Sequence, residues 1–180
     1  MVDSDTQASA EELEPDVSSE VAQPDFDHLT GIVTDGLIGA LGGLVGTAAM
    51  SVVLFVASSV NAFEMASFGI LAELSGLAVL FPGNAVAVGF LVFLGGGMVT
   101  WPLLFAAVSV YLPGRRFATK GLPYGFVLWT GFVLAFSQGI GGGTVTLALY
   151  AFLTLVSHLA YGFSLGAVFD YLSDRPETLV

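Results

Sequence analysis

The chain has 180 residues, of which 55% are hydrophobic and only 11% are charged, and its formal net charge is −11. Soluble domains carry about 25% charged residues, so this composition cannot cover a water-facing surface and predicts a membrane protein. With four Lys and Arg, the chain lacks the basic clusters that bind nucleic acid or anionic lipid electrostatically. The absence of Cys excludes disulfides, thiolate catalysis and Cys-ligated metals, and two His are too few for a multi-histidine metal site or a di-haem site.

Residues 1–28 form a polar segment that holds nine of the 15 acidic residues and no Lys or Arg. Such a segment cannot bury enough apolar area to offset its conformational entropy, so we expect a disordered acidic tail. It has neither the basic start nor the early apolar run of a signal peptide. A docking arm for a basic partner is the alternative function for this segment.

Four apolar stretches follow the tail, and each is long enough to cross the hydrocarbon core as a helix. They lie at about residues 36–59, 83–111, 122–140 and 144–171. The glycine-rich connection 139–143 is too short for anything except an antiparallel hairpin. The predicted fold is therefore an all-α membrane protein, a four-transmembrane-helix bundle over residues 29–172 with a short C-terminal tail at 173–180.

Residues 61–82 allow two interpretations. A fifth span over 63–81 would place Glu64 and Glu73 in or near the hydrocarbon. Near the centre of the bilayer each of them would cost about 2.5–3.5 kcal/mol of insertion free energy. The fifth span would also put the N-terminal tail outside the cell. We favour an extra interfacial helix over about 62–81, which lies along the outer membrane surface between spans one and two.

The basic residues predict the orientation of the bundle. Four spans place all of them on one side: Arg115, Arg116 and Lys120 lie between spans two and three, and Arg175 follows span four. The positive-inside rule makes that side cytoplasmic. We therefore expect a multi-pass protein of the cell membrane with its N- and C-termini in the cytoplasm.

Small residues recur every four positions along two of the spans. Span one carries Gly39, Gly43, Thr47 and Ser51 in one stripe, with Gly46 beside it, and span four carries Gly162 and Gly166. Small residues let transmembrane helices approach each other closely. We expect these glycines to be helix-packing positions, with the partner helix in the same chain or in another protein.

His158 is an ionisable residue within span four, 12 residues before Asp170 and so about 18 Å into the membrane. Thr47, Ser51 and Thr100 lie at a matching depth, and with His158 they form a candidate intramembrane polar site. One interpretation is a neutral His that is hydrogen-bonded to one of these hydroxyls and holds the bundle together. Proton handling or ligand binding is the second, because ionisable groups inside membranes are often functional. Axial ligation of a haem shared with another subunit is the third.

Pro102 lies within span two and is expected to kink that helix, because it cannot donate a backbone hydrogen bond. We expect the nearby Thr100 to satisfy the backbone groups that the proline leaves free.

Three short motifs carry a resemblance to a known family. Residues 42–50 read GGLVGTAAM, residues 120–129 read KGLPYGFVLW and residues 158–166 read HLAYGFSLG. Over about residues 30–172 the chain resembles an uncharacterised family of four-helix membrane proteins common in halophilic archaea. Some members look associated with haem–copper terminal oxidase components, so the resemblance implies an accessory-subunit role here.

No nucleophile–base pair, carboxylate dyad or phosphate-binding loop is recognisable in the sequence, so we expect neither an enzyme nor a bound cofactor. The expected function is a non-catalytic accessory or assembly subunit of a larger membrane complex, such as a respiratory terminal oxidase. Its partners are the lipid bilayer and other membrane subunits or itself. The alternative is a small oligomeric transporter or channel with His158 lining the path.

Overall fold

A computed structural model of the protein describes residues 26–136 and 143–173. All regular structure in these ranges is helical, and no strand occurs in them. The predicted acidic tail lies outside the described residues, except that α1 already begins at Phe26. The C-terminal tail with Arg175, and the turn predicted at 139–143 except for Gly143, also lie outside them.

Six α-helices form the structure: α1 (Phe26–Ser59), α2 (Phe68–Leu74), α3 (Ala85–Gly95), α4 (Trp101–Val108), α5 (Phe117–Phe136) and α6 (Thr144–Ser173). Within the described residues, three helical stretches are long and apolar enough to cross a membrane, namely Thr34–Ser59, Ala85–Tyr111 and Thr144–Leu172. The 20-residue α5 is not among them. These stretches make the chain a helical membrane protein.

The second of these stretches is continuous but not regular. A π-helical segment, Gly96–Thr100, joins α3 to α4, and a 3₁₀ turn at Ser109–Tyr111 completes the stretch. A π segment adds one residue per turn to an α-helix, and such bulges are a usual cause of helix kinks. The irregularity lies directly before Pro102, where the sequence predicted a kink.

Residues 61–84 are broken into short pieces where the sequence predicted one helix over about 62–81. They contain two 3₁₀ turns, Met65–Ser67 and Leu77–Val79, and between these the seven-residue α2. Gly76, with φ of +75°, follows α2, and its left-handed backbone ends that helix. At 1.5 Å per residue, α2 is only about 10 Å long and cannot cross a bilayer.

The long helices pack as antiparallel neighbours. Along α1 and α6, Gly42 lies against Leu165 and Gly46 lies against Tyr161, so the two helices run in opposite directions. The same holds for α5 and α6, where Gly121 lies against Gly162 and Gly125 lies against His158. Helix α6 is thus the central helix, with α1 on one side and α5 on the other, and α3–α4 packs on α1.

Candidate functional site

The interface between α5 and α6 is built from glycines in contact with backbone. Gly121 and Gly162 face each other, Gly166 lies against the carbonyl of Phe117, and Gly125 lies against the carbonyl of His158. A Cβ atom at any of these glycines would overlap a backbone oxygen of the facing helix. Gly162 and Gly166, which are four residues apart on α6, therefore pack on α5 of the same chain.

Asp170 completes this interface at the first turn of α5. Its carboxylate accepts hydrogen bonds from the backbone N–H groups of Phe117 at 2.8 Å and of Ala118 at 2.9 Å. The first N–H groups of a helix have no partner within the helix, and α5 has no acidic residue of its own in the first turn. Asp170 thus caps α5 from another helix and sets the register of the two.

Helix α1 presents its predicted packing glycines to two neighbours. Gly43 lies against the backbone of the π segment at Gly97 and against the ring of Pro102, and an added Cβ there would overlap both. On the adjacent face, a Cβ at Gly46 would lie 2.9 Å from the Tyr161 ring. Gly39 is less crowded, since its nearest neighbour, the Cβ of Pro102, would be 3.7 Å away.

The π segment leaves one carbonyl without a helical donor. In it the N–H of Trp101 reaches the carbonyl five residues back, at Gly96. The next bond of this kind would run from Pro102 to Gly97, and Pro has no N–H. The hydroxyl of Tyr161 on α6 instead donates to the Gly97 carbonyl at 2.7 Å.

The expectation that Thr100 satisfies the freed backbone is therefore wrong, because the donor comes from another helix. A second tyrosine adds a similar bond, since the hydroxyl of Tyr124 on α5 donates to the carbonyl of Trp101 at 2.6 Å. The sequence offers no spacing signal for the contact between Tyr161 and Gly97, which are 64 residues apart.

A cavity of about 550 Å³ lies beside the π segment. Its walls come from α1, from residues 63–74, from α3 with the π segment, from α5 and from α6. Most of the lining is aliphatic or aromatic, and none of it is Asp, Glu, Lys or Arg. The polar lining residues are Thr47, Thr100, Trp101, His158 and Tyr161. Pockets of this kind, apolar with a few polar groups, are typical ligand sites.

The cavity is blocked towards the end of the bundle that carries Arg115 and Arg116. An aromatic layer fills that end, with the Phe105 ring 5.1 Å from Tyr124 and 5.6 Å from Phe169 between ring centroids. Phe105 and Leu165 have no exposed surface there. At the other end Phe63 and Phe68 are buried against the cavity, whereas Leu74, which also lines it there, is 69% exposed.

The cavity opens sideways, between α3 and α5. Trp101 on one side is 40% exposed and Val127 on the other is 60% exposed, although both line the cavity. Helix α3 has no backbone approach to α5 comparable to the glycine interfaces of α6. The opening therefore faces the outside of the bundle.

His158 is 5% exposed and lies on the cavity wall, about one helical turn before Tyr161 on α6. Its Nδ1 is 2.7 Å from the carbonyl oxygen of Thr154 on the same helix, and its ring centroid is 4.8 Å from that of Phe132. A carbonyl oxygen only accepts, so Nδ1 is the donor and carries the proton. In the neutral ring, Nε2 is then an acceptor, and it has no hydrogen-bond partner within the described ranges.

The predicted bond from His158 to a hydroxyl of span one or span two is therefore not formed. The His ring is oriented by its own helix, through Thr154 and a 3.3 Å contact with the hydroxyl of Ser157. Thr154 is held in turn by α5, since the Trp129 indole donates to its hydroxyl at 3.1 Å.

Three of the four residues predicted as an intramembrane polar site line this one cavity: His158, Thr47 and Thr100. Ser51 is half-buried on α1 and does not line it. Thr47 is 2% exposed, and its hydroxyl has no hydrogen-bond partner among the residues that the structure describes. The oxygen lies against Gly97 of the π segment, so Thr47 contributes to the close contact between α1 and that segment.

Three of the four basic residues predicted to face the cytoplasm lie within the described residues, and they are close together in the chain. Arg115 and Arg116 are exposed in the link between α4 and α5, and the Lys120 ammonium is 5.5 Å from the Phe117 ring centroid. Within residues 26–136 and 143–173, no three His, Asp or Glu side chains are grouped as metal ligands.

The long apolar helices, their glycine contacts and an uncharged cavity between them define a helical membrane protein with a site inside its helix bundle. The chain belongs to a family of unknown function, DUF6789, which it matches over residues 33–180. This confirms the resemblance to an uncharacterised family. No curated protein and no solved structure gives a significant match to the chain.

Proposed function

We propose that this protein is a non-catalytic, four-span integral membrane protein that serves as an accessory or assembly subunit of a larger membrane complex. The resemblance noted in the sequence makes a respiratory terminal oxidase the first complex to examine. The open side of the bundle, between α3 and α5, is the observation that carries this proposal.

The four-span count depends on α5. Its 20 residues give a helix of about 30 Å, which equals the thickness of the hydrocarbon core. It packs on the membrane-spanning α6 through Gly121 and Gly125, with backbone touching backbone, so the two helices share one depth. With α5 as a span, both termini lie on the side of Arg115 and Arg116, which is the cytoplasm by the positive-inside rule.

Residues 61–84 would then lie on the outer side of the membrane. Their apolar side chains support a position at the lipid interface, since Leu74 is 69% and Val79 83% exposed while Glu73 is exposed beside them. Apolar groups next to a solvated carboxylate are typical of a segment that lies along a membrane surface.

An unpartnered side of the bundle supports the accessory role. Glycines close the α1–α6 and α5–α6 interfaces, whereas α3 and α5 are separated by the cavity opening. Gly131 on α5 lies at this opening, and a Cβ there would meet nothing within 4 Å. Small residues beside a gap allow a helix of another subunit to approach.

Transport is the weaker candidate. A path past His158 would have to cross the layer formed by Phe105, Tyr124 and Leu165, whose side chains are at most 3% exposed. The cavity also lacks charged groups that would stabilise an ion. The alternative of a transporter with His158 lining its path would require this layer to open.

The test is the mass and composition of the native complex, purified from its own membrane with a tagged chain and gentle detergent. We expect other membrane subunits in fixed ratio. Gly131→Leu, at the opening, should release them, whereas Gly95→Leu should not, because Gly95 also has open space around it but does not line the cavity. A bare monomer or a homo-oligomer would contradict the accessory role, and retention of the partners by Gly131→Leu would remove the opening as their interface.

A further inference from the structure

Beyond the accessory role, we propose that the lateral cavity binds a neutral aromatic molecule that carries a hydrogen-bond donor, and that Nε2 of His158 accepts this hydrogen bond. The bond to His158 is the single polar contact that the site requires. Aromatic packing against the walls of the cavity holds the rest of the molecule.

The acceptor atom of His158 is open to the cavity. Its Nδ1 donates to the Thr154 carbonyl, and Nε2 has no hydrogen-bond partner in residues 26–136 and 143–173. In the same ranges, the unpaired side-chain N and O atoms that are fully enclosed are the hydroxyl oxygens of Thr47 and Tyr150. Nε2 is not one of them, so it keeps exposed surface. Because His158 lines the cavity, the space beside Nε2 is the cavity itself.

The rest of the lining offers no second polar contact at this depth. The Tyr161 hydroxyl already donates to the Gly97 carbonyl, and the Thr47 hydroxyl is enclosed against Gly97. Thr100 and Trp101 are both exposed, so they lie towards the outside of the bundle. A bound molecule therefore meets one acceptor, and one donor group satisfies it.

The lone acceptor excludes several kinds of ligand. A ketone, an ether or a quinone only accepts hydrogen bonds and would leave Nε2 unpaired. A carboxylate or a phosphate group would lie in the cavity without a cation, since no Lys or Arg lines it. An ammonium group would find no carboxylate, since no Asp or Glu lines it either.

The walls define the body of the ligand. A volume of about 550 Å³ lies within the usual range for small-molecule sites, which is roughly 300–1,000 Å³. Rings form much of the lining, such as those of Phe93, Trp101 and Phe132, and the His158 ring itself is 4.8 Å from Phe132 between centroids. Aromatic rings gain more from packing on each other than their buried area alone provides, so a flat ring compound fits this space best.

His158 itself provides the measurement, because the chain has only one other histidine, His28. In a His28→Gln background with nitrogen-15 histidine, the isolated chain in lipid nanodiscs gives the resonances of the His158 ring alone. The resonance of an unprotonated ring nitrogen moves upfield when that nitrogen accepts a hydrogen bond. The probes are carbazole, which has one N–H group, and dibenzofuran, which has the same shape with an oxygen in place of that group.

We expect the free protein to show a protonated Nδ1 and an unprotonated Nε2. Carbazole should move the Nε2 resonance upfield in a saturable way, whereas dibenzofuran should leave it in place. Dibenzofuran should also displace carbazole, with an affinity about tenfold lower, which is about the value of one hydrogen bond. Gly131→Trp, at the opening, should prevent the shift. Gly95→Trp is the matched control, because Gly95 also has open space around it but does not line the cavity.

A protonated Nε2 in the free protein would overturn the proposal, since the ring would then offer no acceptor to the cavity. Equal shifts with both probes, or a carbazole shift that does not saturate, would also overturn it, because they would reflect partition into lipid only. The same holds if Gly131→Trp and Gly95→Trp behave alike. Should Gly131→Trp fail to fold, the two probes still decide. No partner subunit is present, so a negative result here is independent of whether partner subunits co-purify.

Discussion

Tyr161 and Gly97 are 64 residues apart, and a hydrogen bond of 2.7 Å joins the hydroxyl of the first to the carbonyl oxygen of the second. This bond replaces the helical hydrogen bond that Pro102 cannot make. Helix α6 thus supplies the donor that the kinked stretch Ala85–Tyr111 lacks. In hydrocarbon no water can take the place of that donor. The kink beside the cavity is thus stable only in the assembled bundle.

Tyr161→Phe should lower the free energy of unfolding by about 1–2 kcal/mol, because the Gly97 carbonyl would be buried without a donor. Tyr124→Phe should cost less, since the Trp101 carbonyl is also the acceptor of the regular helical bond within α4. Unfolding in mixed SDS micelles measures both, with the 86%-exposed Tyr111→Phe as control. Equal effects of the first two substitutions would contradict a special role for the π segment.

Gly121→Ala and Gly162→Ala should each separate α5 from α6, because the new methyl group would overlap a backbone oxygen that cannot move alone. We expect the free energy of unfolding to fall by about 3 kcal/mol, which is the upper end of the range for overpacked cores. Gly131→Ala is the matched control on α5, as its methyl group meets open space. Unfolding in mixed micelles and the yield of folded protein measure the difference. Tolerance of Ala at both interface positions would show that the helices are not in backbone contact.

Asp170→Ala should destabilise the protein by about 0.5–2 kcal/mol, the usual effect of losing a helix N-cap. Two N–H groups of α5 lose their acceptor, and the negative charge at the positive end of that helix is lost with them. Asp170→Asn should recover part of the loss, since one oxygen remains. The exposed Asp35→Asn is the control, and the readout is again unfolding in mixed micelles. Wild-type stability of Asp170→Ala would exclude the capping role.

Single cysteines in this cysteine-free chain can test the four-span proposal. Gly143 follows α5 and is exposed, so Gly143→Cys should react with a membrane-impermeant maleimide from outside the cell. Arg116→Cys, before α5, should react only after the membrane is opened. If α5 does not span, the two cysteines will label from the same side.

The same labelling separates four spans from five. Ser59 and Asn84 are both exposed at the two ends of the segment that holds α2. In the four-span proposal Ser59→Cys and Asn84→Cys label from outside. A spanning segment between them would place the two cysteines on opposite sides.

Local features of the chain were predictable from the sequence. The uncharged stretches indicated the helices at 34–59, 85–111 and 144–172 with errors of a few residues, because crossing lipid requires an apolar run of a certain length. Pro102 marked the irregular turn, and the spacing of Gly43 or Gly162 showed which face of its helix could approach another. The break in 62–81 was not predicted, because a glycine in an apolar run does not by itself show that its backbone is left-handed, as that of Gly76 is.

The partners of these features were decided only by the tertiary structure. Spacing placed Gly162 and Asp170 on one face but did not reveal that α5 covers it, and nothing in the sequence linked Tyr161 to Gly97. Neighbouring apolar residues illustrate the reason: Leu54 is 2% exposed, whereas Phe55 is 61% exposed. Lipid chains are as apolar as a protein core, so in a membrane helix hydrophobicity determines that a residue is out of water but not which residues face each other.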